Sequence, residues 1–228
     1  YAELTDDGQF PPHMRRPKVH TPHSLGNFVQ AATGLRGPCI TVATACSSSA
    51  KVFAQAARLI EGGIVDAALV GGVDTLCGSV LYGFNALGLV SKQPCMPFDA
   101  RRDGLSLGEA GGFALLERAE DTDAAAAYLL GYGESSDAHH MSAPQPEGLG
   151  AQLAMRDALA RAGVDAGDVA TVSGHDHGRQ QLDLGLDLIA QTPATISQRV
   201  ELLNTVTVLI RQNTATDITV HLEIGCGS

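Results

Sequence analysis

Residues 41–60 read TVATACSSSAKVFAQAARLI, and this stretch decides the fold. An apolar, β-branched run, 39–45 (CITVATA), ends where Cys46 begins a polar turn. An alanine-rich amphipathic segment, 47–63 (SSSAKVFAQAARLIEGG), follows. It is built of good helix formers and stopped by Gly62-Gly63. The apolar run reads as a buried strand, and 67–73 (AALVGGV) reads as another. Strand, helix and strand in that order imply a βαβ unit, and so a parallel sheet flanked by helices.

Outward from this unit, 1–24 is rich in Pro, His and Arg and reads as loop. The segment 24–34 (SLGNFVQAATG) reads as a short helix capped by Ser24 and ended by Gly34. The region 74–112 reads as loop-rich, and 113–120 (FALLERAE) and 127–137 (AYLLGYGESSD) as strands. A helix is expected over 148–163, with Leu149, Leu153, Met155, Ala158, Leu159 and Ala162 on its apolar side. Residues 169–173 (VATVS) read as a strand. Beyond Gly178 the pattern weakens. Both 182–191 (LDLGLDLIAQ) and 197–213 (SQRVELLNTVTVLIRQN) are compatible with helix, although the second is rich in β-branched residues. Residues 217–225 (DITVHLEIG) alternate as a strand does.

Composition narrows the function classes. Of 228 residues, 44% are hydrophobic but only 4% aromatic, which suits a soluble α/β protein packed with small side chains. A net charge of −10 argues against binding nucleic acid through phosphate contacts. No apolar run approaches the roughly 20 residues that span a bilayer, and no signal peptide opens the chain. No membrane association and a cytoplasmic location are therefore expected. The five cysteines, 39, 46, 77, 95 and 226, form no CxxC pair, so neither a zinc knuckle nor a disulfide framework is indicated.

Cys46 is the residue whose setting matters. A thiol between a strand end and a helix start faces the first amide N–H groups of that helix. The helix dipole favours the thiolate there by roughly 0.3–1 kcal/mol. The same amides suit a developing oxyanion. The competing reading is a small buried side chain in a tight helix–sheet contact.

Three ordered motifs weigh on that choice. TACSSSAKVFAQAARLIEGGIVDAALVGGVD is followed by GFNALGLVS and then by PFDARRDGLSLGEAGGFALLE. Together they resemble the β-ketoacyl synthase family, the condensing enzymes of thiolase-like fold, from about His20 to Asp168. YGESSDAHHMSAPQPEG is similar to a loop of these synthases near the substrate entrance. The resemblance implies an α/β thiolase-like mixed sheet flanked by helices, incomplete relative to the family's double repeat. It implies that Cys46 accepts an acyl group from acyl carrier protein, and that a malonyl thioester is then decarboxylated and condensed onto it. It implies no metal or organic cofactor. The expected partners are acyl carrier protein and a second synthase subunit, identical or related, paired through 39–45. Arg15-Arg16-Lys18, Lys92, Arg101 and Arg102 are basic spots where an acidic carrier could dock.

Other residues depart from the pattern. The family places an enolate-stabilising histidine in an HGTxT loop after a strand. This chain has VATVSGHDHGRQQ, so His175 is the candidate and His177, followed by Gly178, the alternative. His221 only faintly echoes the second family histidine. The glycine-rich segment that completes the oxyanion hole has no counterpart. Residues 1–174 are thus expected to form the synthase-like region and 175–228 a divergent tail, as a frameshift, truncation or fusion would leave. Asp103 and Glu109 are expected to support loops. His139-His140 reads as a loop pair, since no carboxylate or cysteine lies at ligand spacing. Gly108, Gly111 and Gly112 do not have dinucleotide-loop spacing. A partner subunit that binds acyl carrier protein without condensing, and an acyltransferase without decarboxylation, are the rival readings.

Overall fold

The computed structural model describes residues 4–16, 19–96, 99–119, 127–139, 145–173, 204–212 and 218–225. Helix α1 spans Ser24–Thr33 and α2 spans Ser48–Glu61. Strand β1 follows at Ala67–Asp74, then helix α3 at Gly78–Ala86. Strands β2 (Ala110–Glu117) and β3 (Ala127–Ser136) precede helix α4 (Leu149–Ala162). Strands β4 (Val169–Ser173), β5 (Asn204–Gln212) and β6 (Ile218–Gly225) complete the described elements.

Two sheets form. One is the antiparallel pair β1–β2, in register from Ala67 opposite Glu117 to Asp74 opposite Ala110. The other has the order β3-β5-β6-β4, antiparallel except for β4 beside β6. Helix α2 packs against β1 and β2 and also against β3, β5 and β6, so it lies between the sheets. Helix α4 packs on β3 and β5.

Helix α2 fits this place because its buried side chains are mostly small. Ala50, Ala54, Ala56 and Ile60 are buried, and Ser49 Oγ lies 3.0 Å from where a Cβ on Gly72 would stand. Helix α4 also uses small residues. Its buried set is Gly150, Ala151, Ala154, Met155 and Ala158. Leu149 and Leu153, expected on the apolar side, are 43% exposed. The cause is close approach: a methyl at Gly133 would collide with the Ala154 carbonyl, and one at Gly131 with that of Ala158. A helix held so near a strand has no room for leucine between the two backbones.

Several expectations change. Residues 39–44 join no ladder among the described residues, Ala45 opens a 3₁₀ turn, and Ile40 is half exposed. Among the described residues no parallel βαβ unit forms, and β1 takes an antiparallel neighbour. The cap of α1 is His23, without a side-chain cap bond, and Ser24 is its first residue, while Gly34 ends it at φ 74. The loop-rich region contains α3 and the start of β2. Within 197–213 the β-branched run 204–212 is a strand, as its composition favours over helix. The segment 182–191 lies outside the described residues.

Gly133→Ala is expected to lower unfolding free energy by about 3 kcal/mol in a urea melt, because backbone rather than a flexible side chain must move. Gly167→Ala, with nothing near its added methyl, should stay within about 0.5 kcal/mol of the parent.

Candidate active site

The junction around Cys46 is a sharp elbow. Thr44 sits at φ −118, ψ 40, and Ala45 takes a left-handed φ of 53. For a residue with a Cβ this costs roughly 1–2 kcal/mol. One 3₁₀ turn, Ala45–Ser47, then leads into α2. Cys46 is half-buried in that turn.

Ser47 and Ser48 hold the strained backbone. Ser47 is fully buried and its hydroxyl donates to the Thr44 carbonyl at 2.9 Å, with Thr44 Oγ1 also at 2.9 Å. Ser48 Oγ accepts the Thr44 N–H at 2.8 Å and donates to the Ala45 carbonyl at 2.7 Å. At roughly 0.5–1.5 kcal/mol each, these bonds are enough to offset the strain at Ala45. Ser47 is the N-cap of α2, yet its hydroxyl turns back to Thr44 and makes no cap bond to the helix. The polar turn is thus a brace that sets Cys46 at the amide end of α2.

This turn packs against β6 and β5. His221 on β6 stands opposite Ser173 of β4 and Val208 of β5. His175 and His177 follow β4 and lie outside the described residues. The segment before the elbow is anchored by His23 Nδ1, 2.7 Å from the Thr41 hydroxyl.

The other candidates have loop roles. Asp103 accepts the Ser91 hydroxyl. Glu109 Oε1 accepts the Leu76 N–H at 2.9 Å and so pins the turn between β1 and α3. His139 is exposed, its N–H donating to Asp137, and His140 lies outside the described residues. Arg101 pairs with Asp99 at 3.1 Å and draws that carboxyl down to about 2. Arg102 donates to the Asp99 carbonyl. Lys92 is exposed, and Arg15 and Arg16 bond backbone carbonyls of Phe10 and His13. Lys18 lies outside the described residues.

Sequence reasoning missed a charged cluster beside α2. Glu134 of β3 bonds Arg58 and lies 3.5 Å from Lys51 Nζ, both on α2. Lys51 and Arg58 are seven residues apart and so share a helix face. That spacing was readable, but nothing in the sequence marks a carboxylate from a distant strand as their partner.

The chain matches two family models in order. Beta-ketoacyl synthase, N-terminal domain, covers residues 2–122, and Beta-ketoacyl synthase, C-terminal domain, covers 126–185. The match therefore runs past Asp168. The chain is 34% identical to a 3-oxoacyl-[acyl-carrier-protein] synthase 2 of Rhizobium meliloti (strain 1021), over 79% of this chain and 47% of that protein. It is 39% identical to Nodulation protein E of Rhizobium meliloti, over 71% of this chain and 41% of that protein. A ketosynthase solved with its chain length factor from Xenorhabdus doucetiae superposes with a TM-score of 0.69 at 38% identity, over 78% of this chain and 44% of that one. This chain thus spans less than half the length of these relatives. The thiolase-like fold is that of its structural neighbours, and the first model alone covers more than half of the chain: it belongs to the β-ketoacyl synthase family.

Proposed function

We propose that this chain supplies the acyl-accepting centre of a β-ketoacyl synthase, with Cys46 as nucleophile. The observation that carries the reading is the elbow itself. A half-buried thiol is held on a strained, hydroxyl-braced turn at the amide end of a helix between two sheets.

The Cys46 thiolate attacks the carbonyl carbon of an acyl-carrier-protein thioester. A new C–S bond forms, and the carrier's thiolate leaves and takes up a proton. A malonyl thioester then loses carbon dioxide by breaking its C–C bond, leaving an enolate. The enolate carbon attacks the Cys46 thioester, the new C–C bond forms and the Cys46 thiolate departs. The helix amides favour negative charge at the sulfur and the oxyanion. His175, two residues beyond β4, is our candidate donor to the enolate oxygen, with His177 the neighbouring alternative. We assign 1–174 to the synthase region and 175–228 to a divergent tail, although β5 and β6 of that tail share a sheet with β3 and β4.

Acyl carrier protein is the proposed partner, with the exposed Lys92 and Arg101 as docking spots. A second synthase subunit is proposed along 39–45, which joins no ladder among the described residues. The relative solved with its chain length factor supports such pairing. Among the described residues no helix is long and apolar enough to cross a membrane. A reducing cytoplasm suits a thiolate nucleophile.

Intact mass after incubation with an octanoyl acyl-carrier-protein thioester tests the reading. A gain of one octanoyl group, absent in Cys46→Ala, is expected. No gain on the folded protein would overturn it in favour of a non-condensing partner subunit. Ser47→Ala removes the buried brace, and a loss of about 1–2 kcal/mol in a urea melt is expected, with slower acyl uptake.

A further inference from the structure

Besides its packing on the larger sheet, α2 is tied to that sheet by one carboxylate. On β3, Gly131 and Gly133 face α4, so the alternate residues Tyr132 and Glu134 face the other way, toward α2. Glu134 bonds Arg58 through Oε2, and its Oε1 lies 3.5 Å from Lys51 Nζ. These two cations sit two turns apart on one face of α2. One carboxylate therefore holds the helix at two heights. Glu134 and Lys51 are each only 23% exposed, so solvent screens their pair less than an open surface pair.

The cluster continues below Glu134. Tyr132 is 4% exposed, and the Arg58 guanidinium carbon lies 5.3 Å from its ring centroid. Arg161 of α4 approaches the same ring at 4.8 Å. It can do so because β3 lies at an edge of its sheet among the described residues. Arg58 is oriented further by Gln55 Oε1 at 3.2 Å. The rest of α2 offers little to stop it sliding, because its buried residues are chiefly alanines. Alanine rows interlock weakly compared with larger side chains, so the directional bonds to Glu134 fix the helix along its axis.

We infer that Glu134 is a positioning residue that seats α2, and with it the Cys46 elbow, against β5 and β6. The inference rests on the reading of Cys46 as the nucleophile for its consequence in catalysis. Its geometric part stands apart from that reading. The elbow packs on β5 and β6 and leads directly into the helix that Glu134 grips, so release of α2 uncovers the half-buried thiol and takes it from its catalytic position.

The full chain is treated with iodoacetamide below its melting range, and alkylation of Cys46, Cys39 and Cys77 is followed by peptide mass. Cys77 is exposed and serves as the internal reference, and Cys39 is half-buried and reports general loosening. In Glu134→Gln the Cys46 rate relative to Cys77 should rise at least about threefold while Cys39 is unchanged. Octanoyl transfer to Cys46 should fall roughly tenfold, the scale that small misplacements produce. Glu134→Asp should recover part of both. If Glu134→Gln does not fold, the double variant Lys51→Gln, Arg58→Gln removes the same bonds from the helix side and should give the same two changes. An unchanged Cys46 ratio, or a rise at Cys39 equal to that at Cys46, overturns the inference. A parent protein that gains no octanoyl group overturns the proposed function, while the alkylation ratio still decides the role of Glu134.

Discussion

A helix held between two sheets must be narrow, and that constraint on α2 shapes the surrounding structure. Its buried positions are Ala50, Ala54, Ala56 and Ile60, with Ser47 buried just before its first turn. Facing strands answer with glycine: Gly72 of β1 comes up against Ser49. Close backbone approach gains dispersion contacts that bulky side chains would prevent, but each small residue contributes little apolar transfer. Specificity of position must then come from elsewhere. In this fold it comes from hydroxyls at one end of α2 and from Glu134 along its side.

That division explains the polarity of the elbow. Serine is a poor choice inside a helix but suits a helix start, and three stand in a row here. Each has its own task here. Ser47 ties back to Thr44, Ser48 bridges Thr44 and Ala45, and Ser49 fits over Gly72. The left-handed Ala45 is tolerated because bonds on both sides fix the backbone around it. A glycine at 45 would remove the strain, but it would also free the unfolded chain and the elbow. Alanine with hydroxyl braces gives a stiffer mount for Cys46.

The elements legible in the sequence were those with strong local signals. Helix α2, helix α4 and strands β1, β3, β4 and β6 fall close to the segments read from periodicity and from their glycine stops. The failures share a cause. Residues 39–45 have strand composition, but a ladder needs a neighbour, and β1 found its partner in β2. The apolar stripe on α4 holds at Met155, Ala158, Leu159 and Ala162 but fails at Leu149 and Leu153, because leucine outweighs alanine in any count of hydrophobicity. The burial is decided by how near β3 comes, which depends on Gly131 and Gly133, and nothing in the sequence marks those two glycines as a helix seat. Helix α3 was hidden by its glycines, and none of its residues is buried. At the site, Cys46 and its serines were legible because they are contiguous. The bonds from Glu134 to Lys51 and Arg58 were not, because they join positions that only the fold brings together.

The way the two sheets share α2 also bears on the chemistry proposed for Cys46. The amide end of a helix stabilises charge only where the helix points, so the orientation of α2 matters as much as its presence. The β1–β2 pair meets α2 through close-packed small residues, which resist tilting but permit sliding. The ion pairs to β3 resist sliding, because moving α2 by one residue would shift Lys51 and Arg58 together by about 1.5 Å from the one carboxylate that serves both. Two weak restraints of different kind therefore fix the elbow in both senses. A nucleophile whose target must arrive on a second protein gains from such a mount, since the carrier's thioester can be aligned only against a sulfur that does not move.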